Sequence, residues 1–297
     1  MIELDHPESR QTLQLYPAAG CCAVSWRVED REFLHLSQPL DRFLREEHTG
    51  GLPLLYPWAN RLRSDRWSFQ GRSVDLKGMP GVHRDGNGLP MHGLLLRWAD
   101  WTFSSEENAC TASIEWSDHE RLMEAFPFSH RLQIEWSLDG KGLAVTTNIE
   151  ARDEAVPISF GWHPYFVLPG VAREGVTMDL PSLFRVSLDS RGLPNDHSPE
   201  PMPAAIHELS QRAWDDCFLG IHDGSRATIR GGSIAIDFEF LEGWKAMQVY
   251  SPEDADYVCL EPMTALTAAL SDGDALNCIE PGESFTAGFR LRVVDRS

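Results

Sequence analysis

The chain has 297 residues and a formal net charge of −19, from 26 basic and 45 acidic side chains. A negative field of this size repels nucleic acid and anionic membrane surfaces, so we expect neither as a partner. No run of about 18 apolar residues occurs, so the sequence predicts no membrane-spanning helix.

Apolar and polar residues alternate along most of the chain, which predicts mostly strands. In chain order, the first part gives two strands within 12–28 broken at 17–20, a short helix over 40–47, a buried extended segment over 51–58, a hairpin of 67–69 and 73–76, a loop over 78–93 and strands at 98–104 and 111–117. The rest gives strands at 131–138, 143–150, 158–162, 176–180, 184–188, 216–221, 226–229, 234–240, 246–250, 257–260 and 284–294, with a proline-rich surface loop at 198–203.

The clearest hairpin joins 132–138 to 143–150, because Asp139 and Gly140 supply an Asp-Gly turn between alternating runs. We find no linker, long amphipathic helix or internal repeat, so residues 1–297 are expected to form a single domain. About fifteen to twenty strands in one domain predict an all-β fold, a large antiparallel β-sandwich.

The six cysteines and residues 1–6 indicate the cellular compartment. Six cysteines include the adjacent pair Cys21 and Cys22 but no Cys-x-x-Cys motif, which does not fit a disulfide framework or a structural zinc site. Residues 1–6 are acidic and lack an apolar segment, so no signal peptide is predicted. We expect a cytoplasmic protein with reduced, mostly buried thiols, as a monomer or a homodimer.

Residues 160–166 (Phe-Gly-Trp-His-Pro-Tyr-Phe) place His163 among aromatic rings and directly before Pro164. A proline biases the preceding residue toward an extended backbone, so we expect His163 to project from a strand end or a tight corner. Flat aromatic faces beside a proton donor suit a ring-shaped polar ligand such as a sugar. Taken alone, the pattern also fits a buried aromatic cluster whose histidine bonds one backbone carbonyl.

Two stretches before His163 also differ from ordinary strand or turn sequence. Residues 57–61 (Pro-Trp-Ala-Asn-Arg) join a tryptophan to Asn60 and Arg61, which can stack on a sugar and donate to its hydroxyls. The alternative is a core tryptophan with Arg61 on the surface. His92 precedes Gly93, which leaves room for a close approach, although a loop histidine in solvent also fits.

Two stretches after His163 contain carboxylates. Asp215 and Asp216 lie between aromatic residues at a strand start, where they accept ligand hydroxyls or cap the strand. Glu261 leaves a predicted buried strand at a proline corner, and a carboxylate there is costly unless it is paired or functional. In the loop 78–93, Asp85 and Asn87 lack the remaining ligands of a calcium loop, so no metal site is predicted.

Together these stretches resemble the aldose 1-epimerase (galactose mutarotase) family. The matching motifs, in the order of the family, are Pro-Trp-Ala-Asn-Arg at 57–61, His-Gly at 92–93, Gly-Trp-His-Pro-Tyr-Phe at 161–166, Trp-Asp at 214–215 with Phe218, and Leu-Glu-Pro-Met-Thr at 260–264. The family implies one β-sandwich with a carbohydrate site in a cleft on one sheet face. It also implies interconversion of the α and β anomers of a free aldose, without a cofactor.

The resemblance assigns Glu261 as the base that takes the proton of the anomeric hydroxyl and His163 as the acid that protonates the ring oxygen. The ring then opens, the aldehyde end rotates, and the ring closes on the other face. We expect the acid and the base on opposite sides of the reacting centre. We also expect nearby carboxylates, including Glu261, to raise the pKa of His163.

The resemblance also implies the substrate-binding residues. His92 is expected to lie near the ring oxygen, while Arg61 and Asp215 hold sugar hydroxyls, assisted by Asn60. Many relatives carry a histidine after the sugar-binding aspartate, and this chain has Asp216 there. The choice between the two aspartates therefore stays open.

Seven basic residues between 61 and 97 leave the substrate class open. They are Arg61, Arg63, Arg66, Arg72, Lys77, Arg84 and Arg97. They fit a solvated face, or a phosphate site of the kind that hexose-6-phosphate 1-epimerase relatives need, since arginine suits phosphate contacts. A non-catalytic carbohydrate-binding module on the same fold, and a domain acting on an unusual or sulfated sugar, are the remaining alternatives.

Overall fold

The structure, a computed structural model, describes residues 1–45, 48–273 and 276–295. These residues form 25 strands and the three short α-helices α1 (Leu40–Phe43), α2 (Glu120–Ala125) and α3 (Ala269–Asp272). The strands are, in chain order, β1 (Ile2–His6), β2 (Gln11–Tyr16), β3 (Cys22–Val28), β4 (Arg31–Glu32), β5 (Leu54–Leu55), β6 (Arg66–Phe69), β7 (Arg72–Asp75), β8 (Thr102–Ser105), β9 (Ala109–Glu115), β10 (His130–Asp139), β11 (Gly142–Ala151), β12 (Val156–Ile158) and β13 (Gly161–Trp162). They continue with β14 (Tyr165–Phe166), β15 (Thr177–Leu180), β16 (Leu183–Val186), β17 (Glu200–Met202), β18 (Ala205–Glu208), β19 (Trp214–Leu219), β20 (Arg226–Gly231), β21 (Ile234–Glu242), β22 (Ala246–Ser251), β23 (Val258–Met263), β24 (Asn277–Ile279) and β25 (Ser284–Asp295).

Two large antiparallel sheets dominate the molecule. One has nine strands in the order β18-β15-β20-β21-β25-β11-β10-β9-β8. The other has eight, in the order β17-β16-β19-β22-β23-β13-β5, with β14 paired to β23 beside β13. A four-stranded sheet, β1 to β4, and the pairs β6-β7 and β12-β24 complete the described structure.

The core lies between the two large sheets, which confirms the predicted antiparallel sandwich. The ring of Trp162 on β13 contacts Trp136 on β10 and Phe289 on β25, each at a centroid distance of 6.1 Å. All three side chains are fully buried, and each such burial contributes about 1.5–3 kcal/mol. The indole N–H of Trp162 donates to Thr147 Oγ1 at 3.1 Å, so this buried polar group is satisfied.

The two faces of the eight-stranded sheet differ. Successive residues of a strand point to opposite faces, so Leu260 enters the core and Glu261 faces outward. A smaller apolar cluster, separate from the main core, covers part of this outer face. It contains Leu55, Ala59, Leu96, Val186, Cys217, Ala246 and Met263. Part of the outer face is therefore enclosed by neighbouring segments, and Gln248 and Glu261 on it are buried.

The hairpin of β10 and β11 and the two strands on either side of the Pro17–Ala19 turn agree with the prediction. His163 lies between β13 and β14, at a strand end as predicted. Of the strand limits that differ from the prediction, two matter for the site, because β19 begins at Trp214 and β23 continues to Met263. On one side of β23, β14 pairs with Val258 and Cys259 and β13 pairs with Met263. Pro262 lies in the gap between these two pairings, so it is tolerated inside the strand.

Other differences involve short elements. Helix α1 covers Leu40–Phe43 of the predicted 40–47 segment, and Glu46 and Glu47 lie outside the described residues. The predicted loop at 198–203 contains β17, an edge strand, where a proline costs no hydrogen bond within the sheet. There are more strands than predicted because several, such as β4 and β5, have only two residues.

Five of the six cysteines are buried, which agrees with the predicted mostly buried thiols. Within the described ranges, the helices are too short and too polar to cross a membrane.

Candidate active site

A polar cavity of about 170 Å³ opens on the outer face of the eight-stranded sheet. Its lining comes from loops and from strands that are distant in sequence. The lining residues are Thr49, Asn60, Arg61, Met91, His92, His163, Tyr165, Asp215, Gln248, Tyr250 and Glu261. All six residues that the sequence predicts as site residues are therefore brought together.

Three adjacent strands supply the acidic side of the cavity. Asp215 lies on β19, Gln248 on β22 and Glu261 on β23, and Gln248 is directly opposite Glu261 in the sheet register. Gln248 donates from Nε2 to Asp215 Oδ1 at 2.6 Å. Its own Oε1 is buried and has no partner among the described residues, so it is available to accept a ligand hydroxyl.

His163 and Glu261 are in direct contact at the buried end of the cavity. His163 Nε2 lies 3.4 Å from Glu261 Oε1 and 3.2 Å from the hydroxyl of Tyr165. The imidazole stacks on the Tyr165 ring at 4.4 Å with an interplanar angle of 9°, which fixes its orientation. The Tyr165 hydroxyl in turn bonds Thr49 Oγ1 at 2.5 Å.

Burial controls the protonation of this pair. It lowers the pKa of His163 to about 3 and raises the pKa of Glu261 well above its usual value. The negative charge of Asp215 raises the pKa of Glu261 further, while Arg61 opposes this shift. Burial therefore favours a neutral imidazole on His163 and shifts Glu261 toward its protonated carboxyl form.

Two expectations about the pair are therefore wrong. The pKa of His163 is lowered and not raised, because burial removes the solvation of the charged imidazolium. The two groups also do not stand on opposite sides of an empty centre, since they touch at 3.4 Å.

His92 and Asn60 share an unusual backbone arrangement. Both have positive φ, 63° and 54°, and the His92 amide donates to the Asn60 carbonyl at 2.8 Å. The His92 ring meets the His163 ring edge-on at a centroid distance of 5.4 Å, and burial lowers the pKa of His92. Left-handed backbone in residues other than glycine is costly and concentrates at functional sites.

Gly93 approaches the protein's own backbone, not a ligand. A Cβ at this position would lie 2.1 Å from the Tyr56 carbonyl oxygen, which accepts a hydrogen bond from the Leu94 amide. The close approach predicted from the His-Gly pair is therefore between Gly93 and the Tyr56 backbone, and it positions His92 against the sheet.

Gly93→Ala is expected to lower the free energy of unfolding by about 3 kcal/mol or more, from the clash and the positive φ together. Urea unfolding measures the change. Gly78→Ala is a matched control, since Gly78 has the same φ of 72° but nothing within 4 Å of the added methyl. Equal losses in the two variants would contradict the role of the Tyr56 contact.

Arg61 is held by Asp85, which the sequence singles out only as a rejected calcium ligand. Arg61 Nε donates to Asp85 Oδ2 at 2.7 Å, and Arg61 Nη1 donates to Asn60 Oδ1 at 3.0 Å. Asp85 is nearly buried and also accepts from the amides of Asn87 and Leu89, which fold the loop around it. The guanidinium therefore enters the cavity with its charge largely balanced.

Asp215, and not Asp216, lines the cavity. The two residues point to opposite sides of β19, and the Asp216 side chain is only 3% exposed. Its carboxylate accepts from Arg185 at 2.5 Å and from Arg212 at 2.6 Å. Asp216 is thus a structural carboxylate between two guanidinium groups.

Most of the basic residues between 61 and 97 are paired elsewhere. Besides Arg61 with Asp85, the ion pairs are Arg63 with Asp272, Arg66 with Asp75, Arg72 with Glu154 and Arg84 with Asp65. Arg97 donates to three backbone carbonyls. Of the seven, Arg61 alone lines the cavity within the described residues.

Beyond the six predicted residues, the cavity is lined by Thr49, Met91, Tyr165, Gln248 and Tyr250, and Asp85 holds Arg61 from behind. Gln248 carries a readable signal, because it is a lone amide inside the apolar run 246–250. Thr49 and Asp85 carry none, since their contacts depend on how loops meet in space.

The chain is similar to known proteins both in sequence and in fold. The sequence model of the aldose 1-epimerase family matches residues 2–292. The uncharacterized protein YphB of Escherichia coli K12 is 26% identical over 260 residues, which are 80% of this chain and 82% of that protein.

Solved structures share the same fold. Slr1438 from Synechocystis sp. PCC 6803 has a TM-score of 0.80 at 24% identity, covering 99% of this chain and 96% of that one. A galactose mutarotase related enzyme from Lactobacillus acidophilus has a TM-score of 0.81 at 19% identity, covering 100% and 98%. With the family match extending over nearly the whole sandwich, including every strand that lines the cavity, the chain belongs to the aldose 1-epimerase family.

Proposed function

We propose that the protein is a mutarotase that interconverts the α and β anomers of an uncharged hexose by acid- and base-assisted ring opening and reclosure. The observation that carries the proposal is the contact between Glu261 and His163 at the buried end of a sugar-sized polar cavity. The anomeric hydroxyl and the ring oxygen share one carbon. Two proton-transfer groups that serve them therefore have to lie side by side, as this pair does.

In the proposed reaction, the Glu261 carboxylate takes the proton of the anomeric hydroxyl while protonated His163 gives a proton to the ring oxygen. The bond between the anomeric carbon and the ring oxygen breaks, and an open-chain aldehyde forms. Rotation of the aldehyde group presents its other face. His163 then removes the proton from the hydroxyl that attacks, and Glu261 returns a proton to the carbonyl oxygen.

The protonation of the free pair supports this scheme. A closed sugar reacts with the carboxylate and imidazolium forms, and the open sugar faces the carboxyl and imidazole forms. Both states hold one proton in total, and the opposite pKa shifts of the two groups favour the form with that proton on Glu261. The proton moves between Glu261 and His163 as the ring opens and closes, and none has to enter from solvent.

The charges around the cavity favour a free sugar over a phosphorylated one. The guanidinium of Arg61 is balanced by Asp85, and Asp215 adds a negative charge on the opposite side. A phosphate dianion entering this space meets more negative than positive charge. The hexose-6-phosphate alternative therefore lacks the unpaired arginines it needs.

The non-catalytic alternative is also less favoured. A module that only binds sugar has no use for a buried carboxyl and imidazole held 3.4 Å apart at the cost of their solvation. Hydroxyls are held equally well by the amide and guanidinium groups that line the rest of the cavity.

Polarimetry on glucose, galactose and their 6-phosphates tests the proposal. We expect mutarotation of at least one free hexose to be accelerated, with a kcat/KM at least about tenfold above that of its 6-phosphate. Activity confined to the phosphosugars would overturn the substrate class. Sugar binding by calorimetry without any acceleration would favour the binding module.

A further inference from the structure

A chain of hydrogen bonds connects His163 to the edge of the cavity. The Tyr165 hydroxyl lies 3.2 Å from His163 Nε2 and 2.5 Å from Thr49 Oγ1. Tyr165 is only 5% exposed, whereas Thr49 is half-buried, and both line the cavity. The two hydroxyls take no part in the proposed proton transfers, so their arrangement beside His163 requires a separate explanation.

The backbone holds Thr49 and Tyr165 in this arrangement. The Tyr165 amide donates to the Gly51 carbonyl at 2.8 Å, and the Gly51 amide donates to the His35 carbonyl at 2.7 Å. Gly51 has a φ of 69°, and a Cβ there would lie 2.2 Å from the Ala23 carbonyl oxygen. The segment that carries Thr49 is therefore fixed against β14 and β3.

The Tyr165 hydroxyl is not needed for the stacking of the two rings. The aromatic ring alone makes the contact with His163 at 4.4 Å, and a phenylalanine would present the same face. A buried hydroxyl costs free energy unless it is hydrogen-bonded, and here two partners are present. Burial also raises the pKa of Tyr165 well above its usual value, so the group stays a phenol, with one hydrogen bond to donate and others to accept.

The two hydroxyls can serve both protonation states of His163. When Nε2 carries a proton, it donates to the Tyr165 oxygen, and the Tyr165 hydroxyl donates to Thr49 Oγ1. When Nε2 has lost its proton, the Tyr165 hydroxyl turns to donate to Nε2 and accepts from Thr49. Either hydroxyl of the pair can be the donor at 2.5 Å, so the chain can run in both directions.

We propose that Tyr165 and Thr49 are positioning residues for His163, whose hydroxyls form a reversible hydrogen-bond chain that keeps the imidazole in one orientation as it gives up and regains its proton. Protonated His163 loses most of its solvation at this buried position, and the Tyr165 oxygen replaces part of it. The proposal rests on the proposed mutarotase function, because it needs His163 as the acid.

Tyr165→Phe tests the chain, since it keeps the stacked ring and removes the hydroxyl. We expect kcat to fall by about tenfold or more, the usual effect of losing a hydrogen bond to a charged group, with KM within about twofold of wild type. Polarimetry on the faster of glucose and galactose measures both constants. Tyr16→Phe, on β2 and outside the cavity, is the matched control and should leave both constants unchanged.

Thr49 supplies two further variants, which stay informative even if Tyr165→Phe fails to fold. Thr49→Val keeps the shape of the side chain without its hydroxyl, and we expect kcat to fall about threefold to fivefold. Thr49→Ser returns the hydroxyl and should bring kcat back to within about twofold of wild type. A side chain that only fills space would not be rescued by serine.

The double variant tests whether Thr49 acts through Tyr165. In that case Tyr165→Phe combined with Thr49→Val is no slower than Tyr165→Phe alone, because the chain is already broken. Additive losses in the double variant would show that the two hydroxyls act separately. A rise in KM at unchanged kcat in either single variant would show that they hold the sugar itself. Both results overturn the positioning role.

The wild-type rate separates this inference from the proposed function. If the wild type accelerates mutarotation and Tyr165→Phe keeps the wild-type kcat, the positioning role is wrong while the mutarotase function stands. If the wild type accelerates no sugar at all, the proposed function itself falls, and the positioning role falls with it. A lower kcat at constant KM, with rescue by Thr49→Ser, supports the chain.

Discussion

Glu261→Gln is expected to lower the mutarotation rate by about 10²- to 10⁴-fold, the usual contribution of one proton-transfer group. Glutamine has nearly the same shape, and its amide still fits opposite Gln248. It cannot accept the proton of the anomeric hydroxyl, so ring opening loses its base. Polarimetry at saturating sugar measures the loss, with Glu242→Gln on an exposed position of β21 as the control.

The unfolding temperature of Glu261→Gln separates a catalytic role of Glu261 from a structural one. Burial raises the pKa of Glu261, so the folded state binds more protons than the unfolded chain above the ordinary glutamate pKa, and stability falls as pH rises through that window. Removing the carboxyl removes this penalty, so Glu261→Gln should unfold at a temperature no lower than wild type at pH 7. A slow but unstable variant would point to a structural role, and a near-wild-type rate would remove Glu261 from the mechanism.

His163→Asn is expected to cost a similar factor of about 10² to 10⁴ in kcat, because the ring oxygen loses its proton donor. Asparagine keeps a polar group near Tyr165 but does not titrate. His197→Asn, at an exposed histidine, controls for a general effect of the substitution. A variant that retains more than about a tenth of the wild-type rate would argue against His163 as the acid.

The wild-type pH profile checks the same assignment independently. A free histidine titrates near 6.5, whereas burial lowers the pKa of His163 to about 3 and raises that of Glu261. The pair keeps its single proton from about pH 3 up to the raised pKa of Glu261. We therefore expect kcat/KM to show no histidine titration near pH 6.5 and to fall on the alkaline side as Glu261 loses its proton above its usual range. A rise or fall centred at pH 6.5 would contradict the buried one-proton pair.

Much of the fold follows from local pattern. The period-two alternation around Asp139 and Gly140 predicts the central hairpin because one face of each strand is buried. His163 is predictable because Pro164 excludes helix at the preceding residue. Glu261 is predictable because a carboxylate in an apolar strand is costly to bury unless it is paired or functional. The strand itself continues past Glu261 to Met263, which the sequence did not predict.

Other parts of the site depend on three-dimensional contacts that no local pattern carries. Asp85 reaches Arg61 only because the loop folds around its carboxylate. The choice of Asp215 over Asp216 depends on which face of β19 meets the cavity. The direction of the pKa shift of His163 depends on how completely the surrounding rings exclude water, which adjacent charges in the sequence do not reveal.

The position of the cavity in the eight-stranded sheet also has a consequence for how the molecule opens. Glu261 and Gln248 lie on interior strands, whose amide hydrogens exchange only through near-global unfolding, whereas residues 187–195 join strands at the sheet edge, where local opening is cheap. Mild denaturant would therefore release residues 187–195 first, while the strands that carry Glu261 and Gln248 stay paired.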